Sequence, residues 1–142
     1  MIVLDTNVIS ALMRTDPDAA VVEWLDAQPS ESIWTTSITV FEIRFGLNIL
    51  PASKRRRLLQ DNFEQALQED LEGRVLDFDA SAAQASADIA VRLRSKGRPV
   101  EIRDVQITGI VVARQGALAT RNTKHFVDTG VRLIDPWELD AV

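Results

Sequence analysis

The chain has no cysteine and a single histidine, His125. Disulfides and thiolate metal sites are therefore excluded, and one histidine cannot build a histidine-rich zinc centre within one chain. Long hydrophobic runs are missing as well, since none approaches the ~18 residues that a transmembrane helix needs. No basic segment precedes the first apolar run, and an acid stands at position 5, so a signal peptide is not expected and the cytoplasm is the expected location. A positive field is also lacking. The formal charge is -5, where polyanion binding usually shows as a basic surface. The deficit is uneven, however. Lys54, Arg55, Arg56 and Arg57 form one basic run, and Arg92, Arg94, Lys96, Arg98 and Arg103 form a second. A net acidic protein of this kind can still hold a polyanion locally, with clear salt dependence. Repeats, linkers and low-complexity segments are absent from the sequence.

What is present is one domain's worth of chain. At 142 residues, with 46% hydrophobic and 26% charged residues, the composition is that of a globular protein with one core spanning 1–142. Ile2-Val3-Leu4 reads as a short buried strand that runs straight into Asp5. Asp5 or Thr6 caps a helix to about Met13, and Asp16-Pro17 opens another that carries Ala20, Val21, Trp24 and Leu25 and ends at Pro29. Ile33 to Thr36 is a second strand. Ser37 is the expected cap of the next helix, whose stripe Ile38, Phe41, Phe45 and Ile49 is expected to face the core, with Glu42 at its border. A long charged helix follows from Ala52 to about Leu71, closed by Gly73. Val75 to Phe78 is a third strand, Ser81 to Arg94 an alanine-rich helix, and Gly97-Arg98-Pro99 a break. A helix starts near Arg103-Asp104, ends at Gly116, and precedes a fourth strand at Ala117–Thr120 and a fifth at Val131–Ile134. Strands alternating with helices predict a parallel-rich sheet covered on both faces.

Three acids stand at or near element starts beside apolar neighbours: Asp5, Glu42 and Asp104. Each alone has a plain structural explanation, Asp5 and Asp104 as helix caps and Glu42 as half of an ion pair. Together they pose an electrostatic problem. In an open parallel sheet, ligands bind outside the carboxyl ends of the strands, which is where the pattern puts Asp5. Two charges ~5 Å apart repel by about 3 kcal/mol at an effective dielectric of 20, and three such pairs sum to about 10 kcal/mol. A fold of ~5–15 kcal/mol does not carry that easily, so a proton is retained or a cation is bound. All-oxygen ligation favours Mg²⁺ or Mn²⁺ over Zn²⁺. A phosphatase with Asp5 as nucleophile would want an acid where Asn7 stands, and a receiver domain would pair two acids before its phosphorylated aspartate.

Leu4-Asp5-Thr6-Asn7, then Thr39-Val40-Phe41-Glu42-Ile43-Arg44-Phe45-Gly46, Arg103-Asp104-Val105-Gln106-Ile107 and Ala119-Thr120-Arg121-Asn122-Thr123-Lys124-His125-Phe126 resemble, in this order, the PIN domain family. More narrowly they resemble VapC-type ribonuclease toxins of bacterial type II toxin–antitoxin pairs, including the FitB-like branch, down to the closing Asp135-Pro136-Trp137. The resemblance implies an α/β fold, a three-layer α/β/α sandwich around a mostly parallel sheet of about five strands. It implies an Mg²⁺- or Mn²⁺-dependent endoribonuclease whose metal-binding acids are Asp5, Glu42 and Asp104, with Thr6 and Asn7 in support. Where the family often carries a fourth acid, this chain has Asn122, which would orient water or hold a ligand carboxylate. Arg103 and Arg121 are candidate substrate contacts. His125 reads as a turn residue or phosphate contact, and Trp137 as packing against the last strand. Implied partners are the RNA substrate, a second copy of the chain and a small DNA-binding antitoxin. The alternative is a catalytically weakened PIN-like module that binds RNA or protein.

Overall fold

The computed structural model describes residues 1–99 and 101–138. The expected domain, 1–142, therefore extends over residue 100 and residues 139–142, which lie outside the described ones. Five strands, β1 (Ile2–Leu4), β2 (Ile33–Thr36), β3 (Val75–Leu76), β4 (Ala117–Ala119) and β5 (Arg132–Ile134), form one sheet in the order β3-β2-β1-β4-β5. Every pairing is parallel. Strand order runs one way from β1 through β2 to β3 and the other way through β4 and β5. The reversal opens a crevice at the carboxyl ends of β1 and β4.

The side-chain period of two divides the core between the two faces of the sheet. Leu4 packs with Val8, Ile9, Trp24, Ile43 and Phe63. Those residues lie on helices α1 (Thr6–Met13), α2 (Ala19–Asp26), α3 (Ser37–Asn48) and α4 (Lys54–Gln65). Its neighbour Val3 faces the other way, onto Ala82, Ile107, Ile110 and Phe126. These belong to α5 (Ala80–Ser95), α6 (Ile102–Ala113) and α7 (Thr123–Phe126). The result is the expected three-layer α/β/α sandwich. Among the described residues no helix is long and apolar enough to cross a membrane.

Local chemistry shifts several expected boundaries. Asp18, not Asp16, accepts the Ala20 N–H, so α2 begins at Ala19 and Pro17 stays outside it. Thr36, not Ser37, caps α3 through the Thr39 N–H at 3.1 Å. Ser53 caps α4, which loosens into one π-helical stretch, Ala66–Asp70, before Gly73 turns the chain at φ 73°. β3 stops at Leu76, two residues earlier than the alternation predicted. The stripe on α3 is a correction of another kind. Phe41, Phe45 and Ile49 are 58%, 54% and 68% exposed, and the inward face is Thr39, Ile43 and Leu47. The Thr36 cap and the β2 strand before it fix the rotation of α3, and that rotation gives Glu42 a cleft position while leaving the two phenylalanines outside.

Candidate active site

β1 delivers Asp5 to the crevice with its backbone still extended, and the Asp5 N–H continues the sheet ladder to the Ala119 carbonyl at 2.9 Å. The side chain then caps α1, accepting the Thr6 N–H at 2.8 Å. Its other oxygen accepts the Thr120 hydroxyl at 2.8 Å and lies 3.5 Å from the Asn7 amide. Asp5 is thus 5% exposed and held through both oxygens. Thr120, directly after β4, is the hub of this arrangement. It donates to Asp5 and accepts from Asn7 Nδ2 and from the Asn122 N–H, both at 3.1 Å. Asn7 Oδ1 accepts the Arg121 N–H at 3.2 Å, which fixes the orientation of its amide. Behind them Thr6 donates to Thr39 at 3.1 Å, and Thr35 donates to the Leu4 carbonyl at 2.9 Å. Buried threonines at the strand ends therefore hold the first acid without adding positive charge.

Glu42 enters from the second turn of α3 and Asp104 from the first turn of α6. Asp104 is not the cap of α6. Glu101 caps it, accepting the Asp104 N–H at 2.9 Å, which frees the Asp104 carboxyl to face the cleft. The two acids, Asp5, Thr6, Asn7, Arg121 and Asn122 line one cleft of about 420 Å³. Burial is the main cause that lifts the carboxyl pKa of all three acids. For Glu42 the Arg103 guanidinium opposes it, while Asp5, Asp104 and Glu101 push the same way as burial. For Asp104, Asp5 and Glu101 add to burial, and His125 opposes. The acids therefore sense one another, and none forms an ion pair with Lys or Arg among the described residues. Arg44, two residues after Glu42, binds Glu64 at 2.7 Å.

The donor set in the cleft is carboxylate oxygen with amide and hydroxyl support. Among the described residues no three acid or histidine side chains converge into a ready-made cage. That openness suits Mg²⁺ or Mn²⁺, which keeps several waters and takes only one or two carboxylates directly. It does not suit a closed structural site.

The remaining candidates separate. Arg121 is on the cleft wall, its guanidinium 4.9 Å above the Trp137 ring, so Trp137 both packs against the core and carries a cation. Arg103 lies outside the residues that line the cleft and meets Glu101 at 3.5 Å, although its charge reaches Glu42. His125 stands on the rim with Nδ1 3.6 Å from Asp104. Asn122 contributes its backbone N–H to the Thr120 hub, while its exposed side chain lines the cleft mouth. Sequence reasoning missed Thr120, Ser10, Arg14 and Asp18, the last three of which line the cleft on the α1 side. The sequence signal for Thr120 is a hydroxyl at the end of the expected fourth strand; that this strand pairs with β1 comes from the structure.

The sequence matches the PIN domain family over residues 2–131. It is 44% identical to VapC ribonuclease Y4jK of Sinorhizobium fredii over 138 residues, 97% of this chain and 99% of that protein. It is 34% identical to toxin FitB of Neisseria gonorrhoeae over 137 residues, 96% of this chain and 99% of that one. The crystal structure of FitAcB from the same organism superposes with a TM-score of 0.88 at 34% identity, over 98% of this chain and 100% of that chain.

Proposed function

The chain belongs to the PIN domain family, and from that premise we propose that it is a divalent-metal-dependent endoribonuclease, the toxin of a type II toxin–antitoxin pair, acting in the cytoplasm as a single domain. One observation carries the reading: Asp5, Glu42 and Asp104, far apart in sequence, line one cleft at the switch point of a parallel sheet, each with a raised pKa. Asp5, Glu42 and Asp104 would hold Mg²⁺ or Mn²⁺. When bound, the metal supplies an activated water and neutralises charge on the phosphate under attack.

The chain's own groups do the rest. Thr120 and the Thr6 N–H hold the Asp5 carboxyl in one orientation and offset part of the cost of its burial. Asn7 ties that carboxylate to the Arg121 backbone, which anchors the base of the arginine beside the acid. Arg121, braced on Trp137, and Arg14, which also lines the cleft, offer positive charge to the phosphates of the strand. Asn122, where a fourth acid is common in the family, adds no charge, and this favours a single metal ion. The same residue is the support for the second reading, a weakened module that binds RNA without cutting it.

The toxin role rests on the likeness to VapC ribonuclease Y4jK and toxin FitB. It brings with it a small DNA-binding antitoxin, for whose arginine an acidic cleft is a suitable receptor. A homodimer finds support in Phe41, Phe45 and Ile49 on α3, where the two rings stack with centroids 6.1 Å apart. An exposed apolar strip of one helix is self-complementary, as a two-fold contact requires. Incubation of the pure protein with labelled RNA in Mg²⁺ or Mn²⁺, with EDTA, and with the Asp5→Asn variant tests the activity. Cleavage is expected only for the unmutated protein with metal; equal cleavage by the variant identifies a contaminant and removes the proposal.

A further inference from the structure

Asp104 borders a second cavity, separate from the carboxylate cleft and about 510 Å³ in volume. Its floor is Leu93 of α5 and Val105 of α6, which with Ile89 make the smallest of the three apolar clusters. Leu93 and Val105 are only 6% and 4% exposed, so what remains accessible is a pit at the open end of that cluster. The lip carries Arg98, Lys124 and His125. The other two acids at this cavity are already engaged. Asp128 is met by Arg98 at 2.6 Å and Lys96 at 3.7 Å, and Glu101 by Arg103 at 3.5 Å and by the α6 backbone. Lys124 forms no ion pair among the described residues. With Arg98 spent on Asp128, the lip keeps Lys124 as its unpaired cation among the described residues, and an apolar pit beside such a lysine takes a planar base and holds the phosphate attached to it.

We propose that this cavity is a nucleobase subsite, which receives the unpaired base of a nucleotide flanking the phosphate that lies over Asp5, Glu42 and Asp104. Asp104 is the partition between the two hollows, so one strand fills both by passing over a single side chain. A base seated on Leu93 and Val105 cannot be paired, and the substrate is therefore single-stranded or a loop at this position. The inference rests on the ribonuclease reading for the nature of the strand, but it concerns binding alone.

The test uses the full-length Asp5→Asn protein, which binds without cutting, and a short unstructured oligoribonucleotide. Methyl ¹H–¹³C spectra are expected to show Leu93 and Val105 shifting on titration, with a loss of those shifts when abasic nucleotides replace the bases. Leu93→Phe, which fills the pit, and the surface change Lys124→Ala are each expected to weaken binding about tenfold, the scale of one stacked base. Silent Leu93 and Val105 methyls, equal affinity for the abasic strand, or no RNA binding at all overturns the subsite. So does a Leu93→Phe variant that loses a co-expressed antitoxin while keeping its RNA affinity, since the pit then belongs to a protein partner. The two proposals fail separately: metal-dependent cleavage by the parent protein with silent methyls sinks the subsite alone, and shifting methyls with RNA left intact by the parent protein in Mg²⁺ or Mn²⁺ sink the nuclease alone.

Discussion

At the scale of single residues, one buried hydroxyl orders the site. Thr120 is wholly buried, spends its proton on Asp5 and accepts two N–H groups in return. Thr120→Val keeps the shape and removes all three bonds. We expect a loss of about 1–3 kcal/mol in urea unfolding, from the donors left unsatisfied. Activity should fall about 10–100-fold, the usual effect of losing a group that orients a metal ligand. Wild-type activity in this variant would mean that Asp5 needs no such support. The raised carboxyl pKa values have a definite sign. Between the ordinary carboxylate range and the raised folded values, the native state holds more protons than the unfolded chain, so stability falls as pH rises through that window. Urea unfolding in EDTA at a series of pH values should show this fall, and Asp104→Asn should flatten it and raise the midpoint at neutral pH. A midpoint that drops in Asp104→Asn would show that the acid is stabilising and not strained. The three acids were legible in the sequence because each sits next to an element start. Thr120 was not, because its importance comes from an acid 115 positions away that only the β1–β4 pairing brings within reach.

At the scale of elements, α3 and α6 decide the geometry. On α3 the sequence misled. Phe41 and Phe45, with Ile49 at the C-cap, recur at helical spacing, yet hydrophobic spacing identifies a stripe without saying whether the chain itself or a partner covers it. Phe45→Lys should leave the unfolding of the monomer unchanged within about 0.5 kcal/mol, as surface changes usually do, the concentration-dependent stabilisation by dimerisation set aside. It should convert a dimer to a monomer in sedimentation, and an unchanged mass would remove this face from the interface. On α6 the decisive residue is Gly109, which the sequence did not mark. A Cβ there would lie 1.8 Å from Ser86 Oγ and 2.7 Å from the Ala82 carbonyl, so α5 and α6 meet only because Gly109 has no side chain. Gly109→Ala should destabilise by at least about 1–3 kcal/mol, the cost of overpacking, despite alanine's better helix propensity. Stability equal to the parent would show that the α5–α6 packing is looser than described. Since α6 carries both Asp104 and Val105, activity and base binding should weaken with it.

At the scale of the whole molecule, a chain with net charge -5 folds four of its acids, Asp5, Asp18, Glu42 and Asp104, into one hollow. The alternation of strands and helices was enough to foresee a parallel sheet with two covered faces, because that rule depends only on element order. The strand order β3-β2-β1-β4-β5 was not foreseeable from the periodicity of any one segment, since it is set by which helices pack on which face. That order joins the ends of β1 and β4 and so makes Asp5 and Thr120 neighbours. It also makes the acids a liability in the absence of a cation. The most direct test is Mn²⁺ binding followed by electron paramagnetic resonance in the absence of RNA, on the parent chain and on Asp5→Asn, Glu42→Gln and Asp104→Asn. The account predicts binding by the parent and at least about tenfold weaker binding by each of the three variants, in line with the loss of a charged ligand. Equal Mn²⁺ affinity in all four proteins, or none in the parent, would contradict it.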